Sequence, residues 1–175
     1  KVVQLIRRMT KFTNVTNYGF LHTQLPPDLF IKLKEECQNF KELREMKSHL
    51  SGPGIPKHFF IEKCFSELKE YILYCAKEYE KNFKYIESLK FLNKNAPLLV
   101  APPWLNVQKR YEFLPLHSHD GVLSYNIWIQ IPYDIKKEVG VNGSASTLQF
   151  IYPKVDGTMG IHKFNVSQLD EGNLI

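Results

Sequence analysis

The sequence predicts an α+β domain in which helices cover one face of an antiparallel sheet or barrel, and three observations carry that reading. Apolar residues keep three- and four-residue spacing through the first half, whereas after Pro97 short β-branched and aromatic runs alternate with turn signals. Helices first and strands second is the order of this class. Aromatics make up 13% of the 175 residues, with 12 Phe and 9 Tyr, which favours sheet-rich packing. The chain reads as a single domain, 1–175, with a helical part over about 26–92 and a β-rich part over about 98–175. A chain this long buries roughly two-thirds of its unfolded surface, so its core needs no staple.

Residues 12–25 (FTNVTNYGFLHTQL) mix β-branched and aromatic residues with a Gly and two Asn, and predict a strand or two with a turn. Pro26-Pro27-Asp28 opens a helix: a missing N–H costs little there, and the Asp faces the positive end of the helix dipole. Phe30, Leu33, Cys37, Phe40 and Leu43 extend that helix to about Met46, before the loop Ser51-Gly52-Pro53-Gly54-Ile55-Pro56. The second helix carries the clearest pattern in the chain, from Ile61 through Cys64, Leu68, Ile72, Cys75 and Tyr79 to Phe83. Lys63, Glu67, Lys69, Glu70, Lys77 and Glu78 form its solvated face. Residues 98–113, 122–133, 145–152 and 160–166 are strand-like, with turn signals at Asp120-Gly121, Val141-Asn142-Gly143-Ser144 and Asp156-Gly157.

Charge and cysteine narrow the function classes. The net charge is +5, but its densest points are pairs such as Arg7-Arg8, Lys109-Arg110 and Lys136-Lys137, not the blocks of a nucleic-acid tail. No run of eighteen apolar residues occurs, so no membrane span is expected. Cys37, Cys64 and Cys75 form no C-x-x-C pair, and the latter two fall on the apolar helical stripe as small buried hydrophobes. A reducing, cytoplasmic setting fits them, in the organism itself or in an infected host cell. Lys1 in place of Met, and Ile175 inside the strand-like Gly172-Asn173-Leu174-Ile175, suggest part of a longer protein, truncated at its C-terminus.

The chemistry concentrates in Leu116-His117-Ser118-His119-Asp120-Gly121. On a strand, alternate residues share a face, so His117 and His119 would point the same way and hold one divalent metal. If the strand twists into its turn, Asp120 becomes the second ligand in place of His119. Two surface histidines flanking a turn are the plain alternative. The hydrolase pattern H-x-H-x-D-H, the cupin Glu, H-E-x-x-H, G-x-S-x-G and phosphate loops are all missing, and no cysteine has a base near it in sequence.

The surroundings of the pair add a resemblance. Trp104-Leu105-Asn106 leads through Lys109-Arg110-Tyr111 to the H-S-H-D-G turn, followed by Ser124-Tyr125-Asn126-Ile127-Trp128. This W-x-N, H-x-H, S-x-x-x-W order resembles a group of iron(II)- and 2-oxoglutarate-dependent oxygenases of marine phages and bacteria, over roughly residues 98–175. The resemblance implies a double-stranded β-helix, a cupin-like jelly roll, with the two N-terminal helices packed against the sheet. It implies Fe(II) and 2-oxoglutarate as cofactors, ascorbate as reductant, and hydroxylation of a protein side chain, a nucleobase or a small molecule.

It also implies a third ligand and a 2-oxoglutarate-gripping Arg after Ile175, on a strand that Asp170-Glu171-Gly172-Asn173-Leu174-Ile175 approaches. By similarity and geometry, Tyr111 and Asn106 would reach the cosubstrate, against readings as a barrel-wall aromatic and an ordinary strand residue. His162 reads as a strand residue before a ligand, Trp104 and Trp128 as core, and His22, His49 and His58 as structural or exposed. Two other classes compete: a non-catalytic jelly-roll module that binds a ligand or builds a phage structure, and a zinc or other cupin-like metalloprotein.

Overall fold

The computed structural model describes residues 11–14, 19–47, 50, 52–89, 95–134, 137, 146–154 and 156–175. It is a mixed α+β structure of a few helices and small antiparallel sheets, with no closed barrel among the described residues. The chain divides into two compact units. One comprises Lys1–Pro27 with Tyr125–Ile175, and the other Asp28–Ser124.

In the discontinuous unit, β1 (Lys11–Asn14) pairs with β2 (Gly19–Gln24), which pairs with β7 (Asn173–Leu174). The two strands expected in 12–25 therefore form, while the turn between them lies outside the described residues. Only residues 126–128 of the long strand expected over 122–133 join a ladder. Asn126 and Ile175 exchange backbone bonds of 2.9 and 3.0 Å, and the Trp128 N–H reaches Asn173 O at 3.2 Å. Pro132 can donate nothing to a ladder, which limits this strand on one side.

A separate hairpin pairs β5 (Thr147–Pro153) with β6 (Met159–Asn165), close to the strands the sequence predicts. Its turn at Asp156-Gly157 is held by the Asp156 carboxylate, which accepts the Thr158 N–H at 3.0 Å, with Gly157 at φ 82°. The predicted turn at 141–144 lies outside the described residues. Side chains from the two sheets meet ring to ring. Phe20 on β2 stands 4.9 Å from Phe150, 5.1 Å from His162 and 5.1 Å from Phe164, between ring centroids. A Cβ at Gly160 would stand 2.5 Å from the Tyr152 ring, which would have to swing aside.

In the other unit, α1 (Pro27–Gln38) opens beside the predicted prolines but stops eight residues before Met46, and a 3-10 turn, Phe40–Glu42, follows. The early stop frees residues 44–46 for β3 (Lys57–Phe60): Met46 N–H reaches His58 O at 2.8 Å, and Phe60 N–H reaches Arg44 O at 3.0 Å. Helix α2 (Phe65–Phe83) buries Leu68, Ile72, Cys75 and Ala76 of the stripe read from the sequence, together with Tyr71, while Ile61 and Cys64 precede the helix. A short α3 (Tyr85–Ser88) follows, its Ile86 and Glu87 N–H groups bound by the Glu80 carboxylate at 2.8 Å each.

Helix α2 begins where a carboxylate from α1 meets it. Glu36, 5% exposed, accepts the N–H groups of Glu62 and Lys63 at 2.8 Å on one oxygen and that of Cys64 at 2.9 Å on the other. These donors have no intrahelical acceptor, and a negative charge there faces the positive end of the dipole. Burial alone would raise the Glu36 carboxyl, but the three backbone bonds carry it below its ordinary value. All three cysteines are free and buried. Burial pushes each thiol up to about 12, and the Glu36 charge adds to this at Cys37 and Cys64, so none is a thiolate nucleophile at neutral pH.

Replacing Glu36 by Ala removes the acceptor of three backbone donors, of which only the Cys64 N–H belongs to a buried residue, and should destabilise the protein by about 1–3 kcal/mol in urea unfolding. Glu36 stabilises the fold fully above the ordinary carboxyl value of 4.5, and that contribution is lost as pH falls through its lower folded value. The variant should therefore show a flatter acid limb of stability against pH, and an unchanged limb would contradict this role.

Candidate functional site

The site grows from the β3–β4 ribbon of the continuous unit. Strand β4 (Trp104–Val107) pairs antiparallel with β3, setting His58 opposite Asn106 and Phe60 opposite Trp104. Opposed residues of such a pair share a face, so His58, Phe60, Trp104 and Asn106 lie on one side. The Ile61 N–H extends the ladder to Pro103 O at 3.1 Å. Pro102 and Pro103 offer no N–H, which limits the strand expected over 98–113 on its N-terminal side, and four residues of it form.

Past Val107 the chain turns. The Glu112 carboxylate accepts the Lys109 N–H at 2.7 Å, Glu112 N–H returns to Lys109 O at 3.1 Å, and Tyr111 takes a left-handed φ of 70°. Phe113 N–H then binds Gly54 O at 3.0 Å. Residues 112–119 form no strand, so strand alternation is not what aligns the histidines. They converge nonetheless: the Nε2 atoms of His117 and His119 stand 3.1 Å apart.

Two contacts hold this arrangement. His117 Nδ1 lies 2.7 Å from Pro115 O, a bond only a protonated Nδ1 can make, so in the neutral ring Nε2 keeps its lone pair. His119 stacks on the Trp104 indole, with centroids 5.5 Å apart and planes 13° from parallel. Trp104, read from the sequence as core, is 37% exposed and forms a wall of the site. The W-x-N spacing was its sequence signal, but only the fold shows what it touches.

The other expected residues stand apart. Asp120 is exposed and acts on His119 as a nearby charge. Tyr111 is 85% exposed beneath the Arg110 guanidinium, 4.9 Å from its ring centroid, and no hydrogen bond or ring contact joins it to either imidazole. Asn106 is exposed on the same ribbon face as Trp104. His162 belongs to the other unit, packed against Phe20 and Phe164. His58 is buried, and His49 lies outside the described residues.

His119 holds its proton less tightly than a free imidazole. Partial desolvation is the largest cause and neighbouring His117 the second, while Asp120 opposes both. The donor set suits a divalent metal: two imidazole nitrogens sharing one ion at about 2.1 Å, at right angles, stand about 3.0 Å apart. The Pro115 carbonyl behind His117 is the kind of partner that fixes a ligating imidazole. No third His, Cys, Asp or Glu gathers with the pair among the described residues. Comparison with family models, curated proteins and solved structures finds no match.

An NMR titration should place the His119 midpoint below the ordinary 6.5. His117→Ala should move it part of the way back up, and Asp120→Asn should move it further down. His119 stabilises the fold fully above the ordinary value, and that contribution declines as pH falls below it. A midpoint at or above 6.5, or one indifferent to His117, would contradict the coupling.

Proposed function

We propose that the chain belongs to an iron(II)- and 2-oxoglutarate-dependent oxygenase that hydroxylates its substrate. The observation that carries this reading is the convergence of the His117 and His119 Nε2 atoms at 3.1 Å beside Trp104, within the W-x-N, H-x-H order. The facing antiparallel strands of the discontinuous unit are compatible with a double-stranded β-helix.

His117 and His119 would hold the metal, and the pairing favours His119 over Asp120 as the second ligand. When bound, iron(II) with 2-oxoglutarate and dioxygen supplies the oxidising chemistry for C–H hydroxylation, with release of succinate and carbon dioxide. The chain's own part is preparation. The Pro115 carbonyl orients the His117 lone pair, Trp104 fixes the plane of His119, and the lowered proton affinity of His119 keeps its ring neutral. Asn106, which shares the ribbon face of Trp104, would be the cosubstrate contact in this reading, in preference to the exposed Tyr111. No described helix is long and apolar enough to cross a membrane.

The test supplies the full-length protein with iron(II), ascorbate and 2-oxoglutarate and measures succinate. Turnover should appear, and His117→Ala or His119→Ala should lower it at least as much as the about 10- to 100-fold that loss of a ligand's supporting partner costs. Metal affinity should weaken as pH falls below the imidazole range, because protons compete for the same nitrogens. Absence of succinate together with absence of metal-dependent binding would end the proposal. A second reading, a non-catalytic jelly-roll binding module, draws on the missing third ligand among the described residues. It expects no copurifying metal and histidine variants that keep their function.

A further inference from the structure

The discontinuous unit holds a cavity of about 460 Å³, within the range of small-molecule sites. Its floor is set by strand register. Gln24 on β2 faces Asn173 on β7, and Trp128 stands across from Asn173 on the next strand, so three side chains form one row. Two residues back along β2, His22 presents its ring to the same face. Phe164 on β6 and Asp170 contribute other walls.

Asp170 sets the polarity of this row. One of its oxygens accepts the Ser167 N–H at 2.8 Å and hydroxyl at 2.9 Å, and the other accepts an Asn173 side-chain N–H at 3.1 Å. The Asn173 amide is thereby oriented, with its carbonyl oxygen and second N–H left to bond elsewhere. Among the described residues no lysine or arginine lines the cavity. A phosphate or carboxylate would lose its hydration beside Asp170 with no cation to compensate. The Trp128 indole borders the cavity beside the His22 and Phe164 rings, which pack on each other with centroids 5.2 Å apart, and an oriented amide offers paired donor and acceptor sites, the complement of a heteroaromatic edge.

We infer that this cavity binds an uncharged heteroaromatic molecule of nucleoside size. The inference stands apart from the metal reading, since every residue it uses lies in the discontinuous unit.

The test uses the full chain carrying Trp104→Phe, so that Trp128 is the remaining indole of the two. Its fluorescence is followed during titration with adenosine, uridine, adenosine 5′-monophosphate and benzoate. At least one nucleoside should give a saturable change with Kd between about 0.1 and 10 mM, as expected for a ligand of this size. The monophosphate should bind at least about threefold more weakly, and benzoate more weakly still, for want of cationic partners.

Gln24→Leu and Asn173→Leu keep the backbone ladder, and each should weaken nucleoside binding about fivefold, the scale of one hydrogen bond. No saturable change with either nucleoside overturns the proposal. So does a monophosphate or benzoate that binds as tightly, or an affinity unmoved in both variants. Should the variants lose their circular dichroism, the side-chain amide NMR signals of Gln24 and Asn173 in the Trp104→Phe protein decide the matter. They must shift on nucleoside addition, and unmoved signals overturn the inference.

Discussion

The carboxylate of Glu36 is the constraint on which the histidine-bearing unit depends. A buried charge is costly, and here three backbone N–H groups from Glu62, Lys63 and Cys64 satisfy it. Those residues form the junction where β3 ends and α2 begins. One residue earlier, Ile61 binds Pro103 and extends the ladder to β4. Strand β4 opens with Trp104, against which His119 lies. A cap on one helix thus reaches the imidazole pair through a short run of named contacts.

The imidazole pair shows how irregular backbone can still be specific. No strand holds His117 and His119, yet one ring is fixed by a carbonyl two residues back and the other by an indole from β4. Left to water, two imidazoles gain little from each other. Held with their Nε2 atoms at 3.1 Å, they share one proton between them or present two lone pairs to a single cation. Desolvation and the proximity of His117 both favour the neutral ring of His119.

In the discontinuous unit, rings take the place that aliphatic side chains fill in many sheet packings. Phe20, Phe150, His162 and Phe164 meet at centroid distances of 4.5–5.7 Å where they touch. Beyond this cluster the same β2 face changes to polar residues, and the space between the walls becomes the cavity beside Gln24, Asn173 and Trp128. Outward, β5 and β6 expose Ile151, Ile161 and Met159, an apolar strip on the far side of the hairpin.

The sequence by itself determined what depends on near neighbours. The 3.6-residue stripe of α2, the Asp156-Gly157 turn and the spacing of His117 and His119 all follow from interactions within a few residues. Helix α1 was legible at its start, where Pro27 and Asp28 act locally, but not at its end, because residues 44–46 bond to β3 instead of continuing the helix. The long strands expected around the histidines were overestimated for a related reason: β-propensity counts only where a partner strand is present to bond. Tertiary structure alone decided that Glu36 caps α2, that Trp104 stacks on His119, and that Gln24, Asn173 and Trp128 form one row. Each brings together residues between 15 and more than a hundred positions apart. No local period encodes such pairs, because their free energy arises only when the chain closes the loop between them.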